Sequence, residues 1–430
     1  VLEGGAKNRQ TAVSGGVTVI KGGNTMSGVF RRVRALAVVG ALTATGVVAA
    51  GSGTAHADGP GSGTPWIVSV GDSAISGEAG RWAGNTNNSS SLIDAGGPAT
   101  YYDNATHTAE AIHGCHRSTS AMVHIGGGVN SLNIACSGAR TYTQTPGSGD
   151  FKPGLDFYNS GGYKGQAQVL QEFAATHNVK AIPLLIGANN YGFADIAQTC
   201  VTDWLTSPSW WKNYCNDDSS VSSRFTAASV TARTSEVAGA IANIHRAMAN
   251  DGYADSQYKI IVQTYVSPIP LGAGFRYSEN GWTRQSTGGC GVWNADADWA
   301  NNTAFVKMNQ ALTNGAAQSG VANYVIQNNA AAFNGRRLCE TGVGLLEEQG
   351  VASWTQSNAP DKTEWQNQIR TTSTLFGDYQ LQEDLHPNYW GQLALRNCLR
   401  QAYNGGNIRG GTCSHGTGKN ANGEPNMSLT

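Results

Sequence analysis

The sequence predicts a three-layer α/β/α sandwich around a mostly parallel sheet. Three observations carry that prediction. Short apolar runs with β-branched residues end at glycine or proline turns, as buried strands do. Stretches with apolar residues at helical spacing fall between those runs. No internal repeat and no linker between two cores interrupts them, so the elements are expected to share one domain over residues 58–430.

The elements follow in order. Trp66 to Val70 (WIVSV), stopped by Gly71, reads as the first strand. Gln166 to His177 carries Val169, Leu170, Phe173 and Ala174 on one helical face. Lys180 to Ile186, stopped by Gly187, is the second strand, and Lys259 to Val266, before a proline-rich turn, is the third. Between them, Ser235 to Asn250 reads as a helix through Val237, Ile241, Ile244 and Met248. Thr303 to Leu312 and Tyr389 to Tyr403 are the later helices, and Asn323 to Gln327 is a fourth, weaker strand. The Gly/Asn/Ser-rich stretches Gly84 to Gly97 and Thr141 to Gly162 read as surface loops or insertions. The polar tail after Cys413 is expected to fray.

Composition narrows the function. The 430 residues hold 28 Lys+Arg against 29 Asp+Glu, only 13% are charged, and 40% are hydrophobic. Whole-chain disorder does not fit that hydrophobic share, and nothing basic enough for nucleic acid is present. The one long apolar run, Ala35 to Gly51, follows Arg31, Arg32 and Arg34 and leads to Ala55-His56-Ala57. A basic start, an apolar middle and a small-x-small exit make a secretory signal peptide over residues 26–57, begun at Met26 and cleaved after Ala57. The run is short and broken by Gly and Thr, which argues against stable membrane insertion. Residues 1–25 carry no periodic pattern and read as an upstream segment. Cleavage would leave 22 basic and 28 acidic residues, a net charge of −6.

Eight cysteines follow the cleavage point: Cys115, Cys136, Cys200, Cys215, Cys290, Cys339, Cys398 and Cys413. An even count in an exported chain points to disulfides, expected between nearest neighbours so that each brackets one loop. There is no CxxC, and His113, His116 and His124 lack a metal-ligand spacing. No metal and no cofactor are implied.

Four segments carry candidate chemistry. Gly71-Asp72-Ser73 places a serine beyond the C-terminal end of a predicted parallel strand, where α/β sheets bind ligands, although a helix N-cap would give the same letters. Ile75 stands where G-x-S-x-G needs its second glycine. Cys136-Ser137-Gly138-Ala139 and Gly187-Ala188-Asn189-Asn190 could each aim an N–H at a developing oxyanion. Glu383-Asp384-Leu385-His386-Pro387 offers a histidine with neighbouring acids at a loop–helix junction.

With these blocks in this order, the chain resembles the SGNH hydrolases, also called the GDSL esterase/lipase family, in their secreted actinomycete form. The resemblance rests on Gly71 to Trp82, Cys115-His116-Arg117-Ser118, the Gly138 block, Ile186 to Phe193, Arg337 to Glu340, and His386 to Gln392, and it spans about Trp66 to Cys413. It implies a flavodoxin-like sandwich and a secreted serine esterase. Ser73 matches the nucleophile and His386 the base. The Ser73 and Gly138 N–H groups and the Asn189 side chain match the oxyanion hole. Two departures stand out. Asn190 replaces the family's acid after the key asparagine, and the family's Asp-x-x-His becomes Glu383-x-x-His386, with Asp384 one place nearer. Either acid can orient the imidazole. Glu383 is favoured by position, and some members use a backbone carbonyl instead.

The expected partner is a small-molecule or lipid ester, with the chain a monomer. Trp210 and Trp211, between Cys200 and Cys215, are expected to form a wall or rim of an acyl pocket, or else a small satellite core. Two other readings stand beside the esterase: a polysaccharide O-deacetylase, and a non-catalytic surface- or carbohydrate-binding protein on a decayed hydrolase scaffold.

Overall fold

The computed structural model describes residues 58–144, 150–370 and 381–430. The upstream segment, the expected signal peptide and its cleavage point lie outside them.

Among the described residues, seven strands form the central sheet: β1 (Pro65–Gly71), β2 (Asn130–Asn133), β3 (Asn178–Leu185), β4 (Lys259–Gln263), β5 (Tyr324–Asn328), β6 (Gly411–Lys419) and β7 (Pro425–Leu429). Their order across the sheet is β2-β1-β3-β4-β5-β6-β7. Neighbouring strands are parallel except β6 with β7. Ile67, Val68 and Val70 of β1 and Ile260, Ile261 and Val262 of β4 are fully buried, the near-continuous apolar pattern of strands covered on both faces.

The main helices are α1 (Gln166–Ala174), α2 (Phe193–Thr206), α3 (Ala227–Asn250), α4 (Phe305–Gln318) and α5 (Tyr389–Tyr403). α1 and α4 both pack against α3, and the sheet carries helices on both faces. This is the predicted α/β class. β1 has β2 on one side and β3 on the other, so successive connections leave it in opposite directions. Such a switch point opens a crevice at the carboxyl ends of the two strands, where open α/β sheets bind ligands.

Disulfides join Cys115 to Cys136, Cys200 to Cys215, Cys290 to Cys339 and Cys398 to Cys413, nearest neighbour to nearest neighbour.

The tail does not fray as expected. Beyond Cys413 it completes the β6–β7 hairpin on the sheet edge. Buried Glu424 pairs with Arg400 of α5, and Asn397 of α5 donates to the Pro425 carbonyl. The surface-loop reading of Gly84 to Gly97 also needs correction. Asn85 is fully buried and donates to the Glu364 carboxylate and the Gln366 carbonyl, so Gly84 to Thr86 belong to the interior, while Asn87 to Ser89, Ser91 and Gly96 are exposed as a surface loop would be. Within Thr141 to Gly162, Phe151 and Leu155 are buried as well. α3 starts at Ala227, ahead of its apolar pattern, because Thr226 caps it by accepting from Ser229 N.

Candidate active site

β1 ends where its backbone meets β3. Gly71 lies at φ +137°, and a Cβ there would sit 1.9 Å from the Leu185 carbonyl oxygen, so only glycine fits. The chain then turns into the one-turn helix Ser73–Ser76, whose N-cap is Asp72. Asp72 Oδ1 accepts from Ala74 N at 3.2 Å. The cap and the serine motif are therefore one device, which sets Ser73 at the crevice.

His386 arrives from the far end of the chain. Its loop is clamped to the segment before it: Asn367 N donates to the His386 carbonyl at 3.0 Å, and Leu385 N to the Asn367 carbonyl at 3.2 Å. Asn388, fully buried, caps α5 by accepting from Trp390 N and Gly391 N. Pro387 thus precedes the cap rather than sitting in the first turn. Leu385 is held at φ +60°, a left-handed conformation that costs roughly 1–3 kcal/mol and persists because its neighbours fix it.

This places His386 Nε2 2.7 Å from Ser73 Oγ. Nδ1 lies 2.9 Å from the Asp384 backbone carbonyl, a partner that keeps the neutral ring's proton on Nδ1 and leaves Nε2 as acceptor. Neither expected carboxylate takes that place. Glu383 is buried and accepts from Trp82 Nε1 at 2.8 Å and from the Tyr101 hydroxyl at 2.6 Å. The Asp384 carboxylate accepts from Arg370 N at 3.0 Å. Burial raises the Asp384 carboxyl to about 8 despite that bond. The turn that presents the 384 carbonyl to the ring sends both side chains to other partners.

Two further segments converge on the same end of the sheet. Cys136 N donates to the Gly71 carbonyl at 3.1 Å, which ties the Gly138 turn to β1. Gly138 has φ +76°, again a glycine position. Asn189 Nδ2 donates to the Ala139 carbonyl at 3.0 Å, which leaves its second amide hydrogen for the crevice that it lines with Ser73 and His386. Asn190 does what an ionised aspartate cannot. Its amide accepts from Thr141 N at 3.1 Å and donates to Thr141 Oγ1 and Glu236 Oε2, both at 2.7 Å. A carboxylate there would meet Glu236 with no proton to offer.

No family model matches this chain, and no curated protein does. Among solved structures it is similar to an extracellular lipase from Streptomyces rimosus, at 18% identity over 77% of this chain and 95% of that one, with a TM-score of 0.41. It is similar to phospholipase A1 from Streptomyces albidoflavus NA297 at 19% identity, over 77% and 95%, with a TM-score of 0.40. A family two carbohydrate esterase from Clostridium thermocellum follows at 10% identity, over 79% and 64%, with a TM-score of 0.33.

Trp210 and Trp211 do not line the crevice at Ser73. Pro208 follows the end of α2, and the loop beyond it carries the two rings outward, 82% and 73% exposed. Apolar space lies instead along α2 itself. A cavity of about 620 Å³, open space at its mouth included, is lined by Ile196, Ala197, Val201, Val292, Trp299 and Met308 among others. It shares Phe193, Pro268, Phe305 and Leu385 with the crevice.

Sequence reasoning passed over three residues behind the serine: Glu78, His116 and Ser137. Glu78 is fully buried. One of its oxygens lies 2.8 Å from His116 Nδ1; the other accepts from Ser137 Oγ and lies 3.9 Å from His386 Nε2. Burial alone would push Glu78 up. The charge of His386, the bond and charge of His116 and the Ser137 hydroxyl outweigh it and hold the carboxyl below its ordinary value. An acid inside a glycine-rich segment, just after the candidate serine in a charge-poor chain, was a usable signal. Of the three histidines without metal-ligand spacing, His116 belongs to this network, His124 bonds Ser131 Oγ and His113 is exposed beside Asp150. No metal-ligating cluster occurs among the described residues.

Proposed function

We propose that the protein is a secreted serine ester hydrolase that acts on carboxylic esters with an extended acyl chain. The observation that carries the reading is the 2.7 Å approach of His386 Nε2 to Ser73 Oγ, at the switch point of a parallel sheet. The Ser73 proton passes to Nε2 as Oγ bonds the ester carbon, and the carbonyl π pair moves onto its oxygen. The N–H groups of Ser73 and Gly138 and the Asn189 amide receive that oxyanion. Nε2–H then protonates the leaving alkoxide, and water releases the acid by the same steps in reverse roles. A serine hydroxyl needs such a base because it is a weak nucleophile on its own.

The apolar lining of the cavity along α2 supports the lipid-type acyl group, since a polysaccharide asks for a polar cleft. Four disulfides support an oxidising, extracellular setting, and among the described residues no helix is long and apolar enough to cross a membrane. A fluorophosphonate probe should label the wild type and leave Ser73→Ala unlabelled. In a nitrophenyl ester series, Ala197→Trp should cut octanoate hydrolysis about tenfold and spare acetate. Equal loss on both esters would remove the acyl assignment, and no labelling of the wild type would remove the hydrolase.

A further inference from the structure

We propose that Glu78 is the counter-ion of the His386 imidazolium, a positioning residue that acts from the Nε2 side of the ring without touching substrate. This role presupposes the serine hydrolase reading and adds to it. When Ser73 transfers its proton, the ring becomes a cation. At Nδ1 it meets only the neutral Asp384 carbonyl, at 2.9 Å. A carbonyl fixes the ring but brings no full charge against the cation. Among the described residues, the carboxylate within 4.0 Å of the ring is Glu78, at 3.9 Å from Nε2. It is fully buried, and the His386 side chain is only 15% exposed, so water screens the attraction weakly.

The same carboxylate also holds Ser137, next to Gly138, and so has a structural duty to separate from its charge. Gln at position 78 keeps an acceptor for Ser137 and removes the charge. The surroundings supply a second handle. His116 shares Glu78, at 2.8 Å, and Glu110 lies 3.9 Å from its other nitrogen. Lys152 is a further cation near Glu78; its ammonium donates to the Gly114 carbonyl and also feels Asp150 and Glu110. Asp72, Glu383 and Asp384 are further acids on the segments packed around Ser73 and His386, and the segment that clamps the His386 loop adds the buried acid Glu364 and the cation Arg370. A proton on His116 neutralises Glu78 in part, so removing that histidine should strengthen what His386 feels.

The test is the pH profile of kcat/KM on nitrophenyl butyrate, with circular dichroism and Tm recorded for each variant. Glu78→Gln should move the acid limb down by about one pH unit and lower kcat about 10- to 100-fold, with KM nearly unchanged. His116→Gln should move the limb the other way. Ser137→Ala should leave the limb in place, whatever it does to the rate. Opposite shifts from two neighbours of one network are not what a packing defect gives. An unmoved limb in a folded Glu78→Gln enzyme overturns the proposal, and so does a limb that Ser137→Ala moves as far. If Glu78→Gln does not fold, His116→Gln decides: an upward shift supports the counter-ion, and none overturns it. Failure of the hydrolase reading looks different, because the wild type itself would then show neither turnover nor fluorophosphonate labelling.

Discussion

Asp72 and Glu78 flank the same serine, and both are buried. Burial pushes both carboxyls up. Asp72 stays raised, to about 7, because its partners are the neutral Tyr265 hydroxyl and Ala74 N–H, with Glu78 nearby adding repulsion. Glu78 ends below its ordinary value, because His386 and His116 outweigh the same desolvation. Equal burial thus leaves the two carboxyls shifted in opposite directions, and the sign is set by whether a partner can be a cation. Tyr265 also accepts from Ala188 N at 3.0 Å, so the raised acid braces the Asn189 turn, while the lowered one faces the imidazole.

The sharpest break is Ser73→Ala. It should lower kcat/KM by roughly 10⁴-fold or more while Tm changes little, measured on nitrophenyl butyrate. Appreciable residual turnover would mean that neither acid serves this serine. Asn189→Ala should cost about 10²–10³ in kcat, the usual loss for one oxyanion donor. A loss seen mainly in KM would place Asn189 in ground-state binding instead.

Asp72→Asn tests the raised half through stability. The folded carboxyl holds its proton to about 7, whereas the unfolded one releases it near 3.8. The folded state therefore binds more protons between those values, and stability falls as pH rises from about 4 to 7, then levels. Its full span is up to about 4 kcal/mol, at roughly 1.36 kcal/mol per pKa unit. Urea unfolding should show this fall in the wild type and a flatter profile in Asp72→Asn. Parallel profiles would mean that Asp72 is ionised and the contrast with Glu78 is false. Glu78, with its lowered value, contributes in the opposite sense: its share is present above about 4.5 and is lost on acidification.

What the sequence displayed follows the same division between local and tertiary causes. β1, β3 and β4 were readable because β-branched runs stop at Gly71, Gly187 and the turn before Pro268. β2 (Asn130–Asn133) was not, since an edge strand of Asn-Ser-Leu-Asn has no apolar pattern. α2 escaped because it begins after Gly192 in a left-handed conformation, without a side-chain cap. The end of β6 reads as a frayed tail because Gly411 to Lys419 is held through backbone pairing and a disulfide, not through apolar side chains. At the site, Ser73, Gly138, Asn189 and His386 stood in ordered motifs. Glu78 stood inside the Gly71 to Trp82 block, but its role did not show, because its charge depends on three neighbours distant in the chain. The partner of His386 Nδ1 is a backbone oxygen, and no side-chain letter encodes one.

That backbone partner gives the smallest expected effect. Asp384 meets the ring through its carbonyl, which Asp384→Asn leaves intact. Its carboxyl, raised to about 8, already carries a proton at neutral pH, so the amide is a close electrical match. kcat/KM for Asp384→Asn should stay within about threefold of wild type at about pH 7. Glu383→Gln is the partner experiment. An amide keeps one acceptor oxygen where the carboxylate served both Trp82 and Tyr101, so it should cost about 1–3 kcal/mol of stability and leave kcat/KM of the folded enzyme alone. A loss of roughly a thousandfold in Asp384→Asn would return the orienting role to a carboxylate. Glu78 would then be a second counter-ion rather than the one the imidazolium depends on.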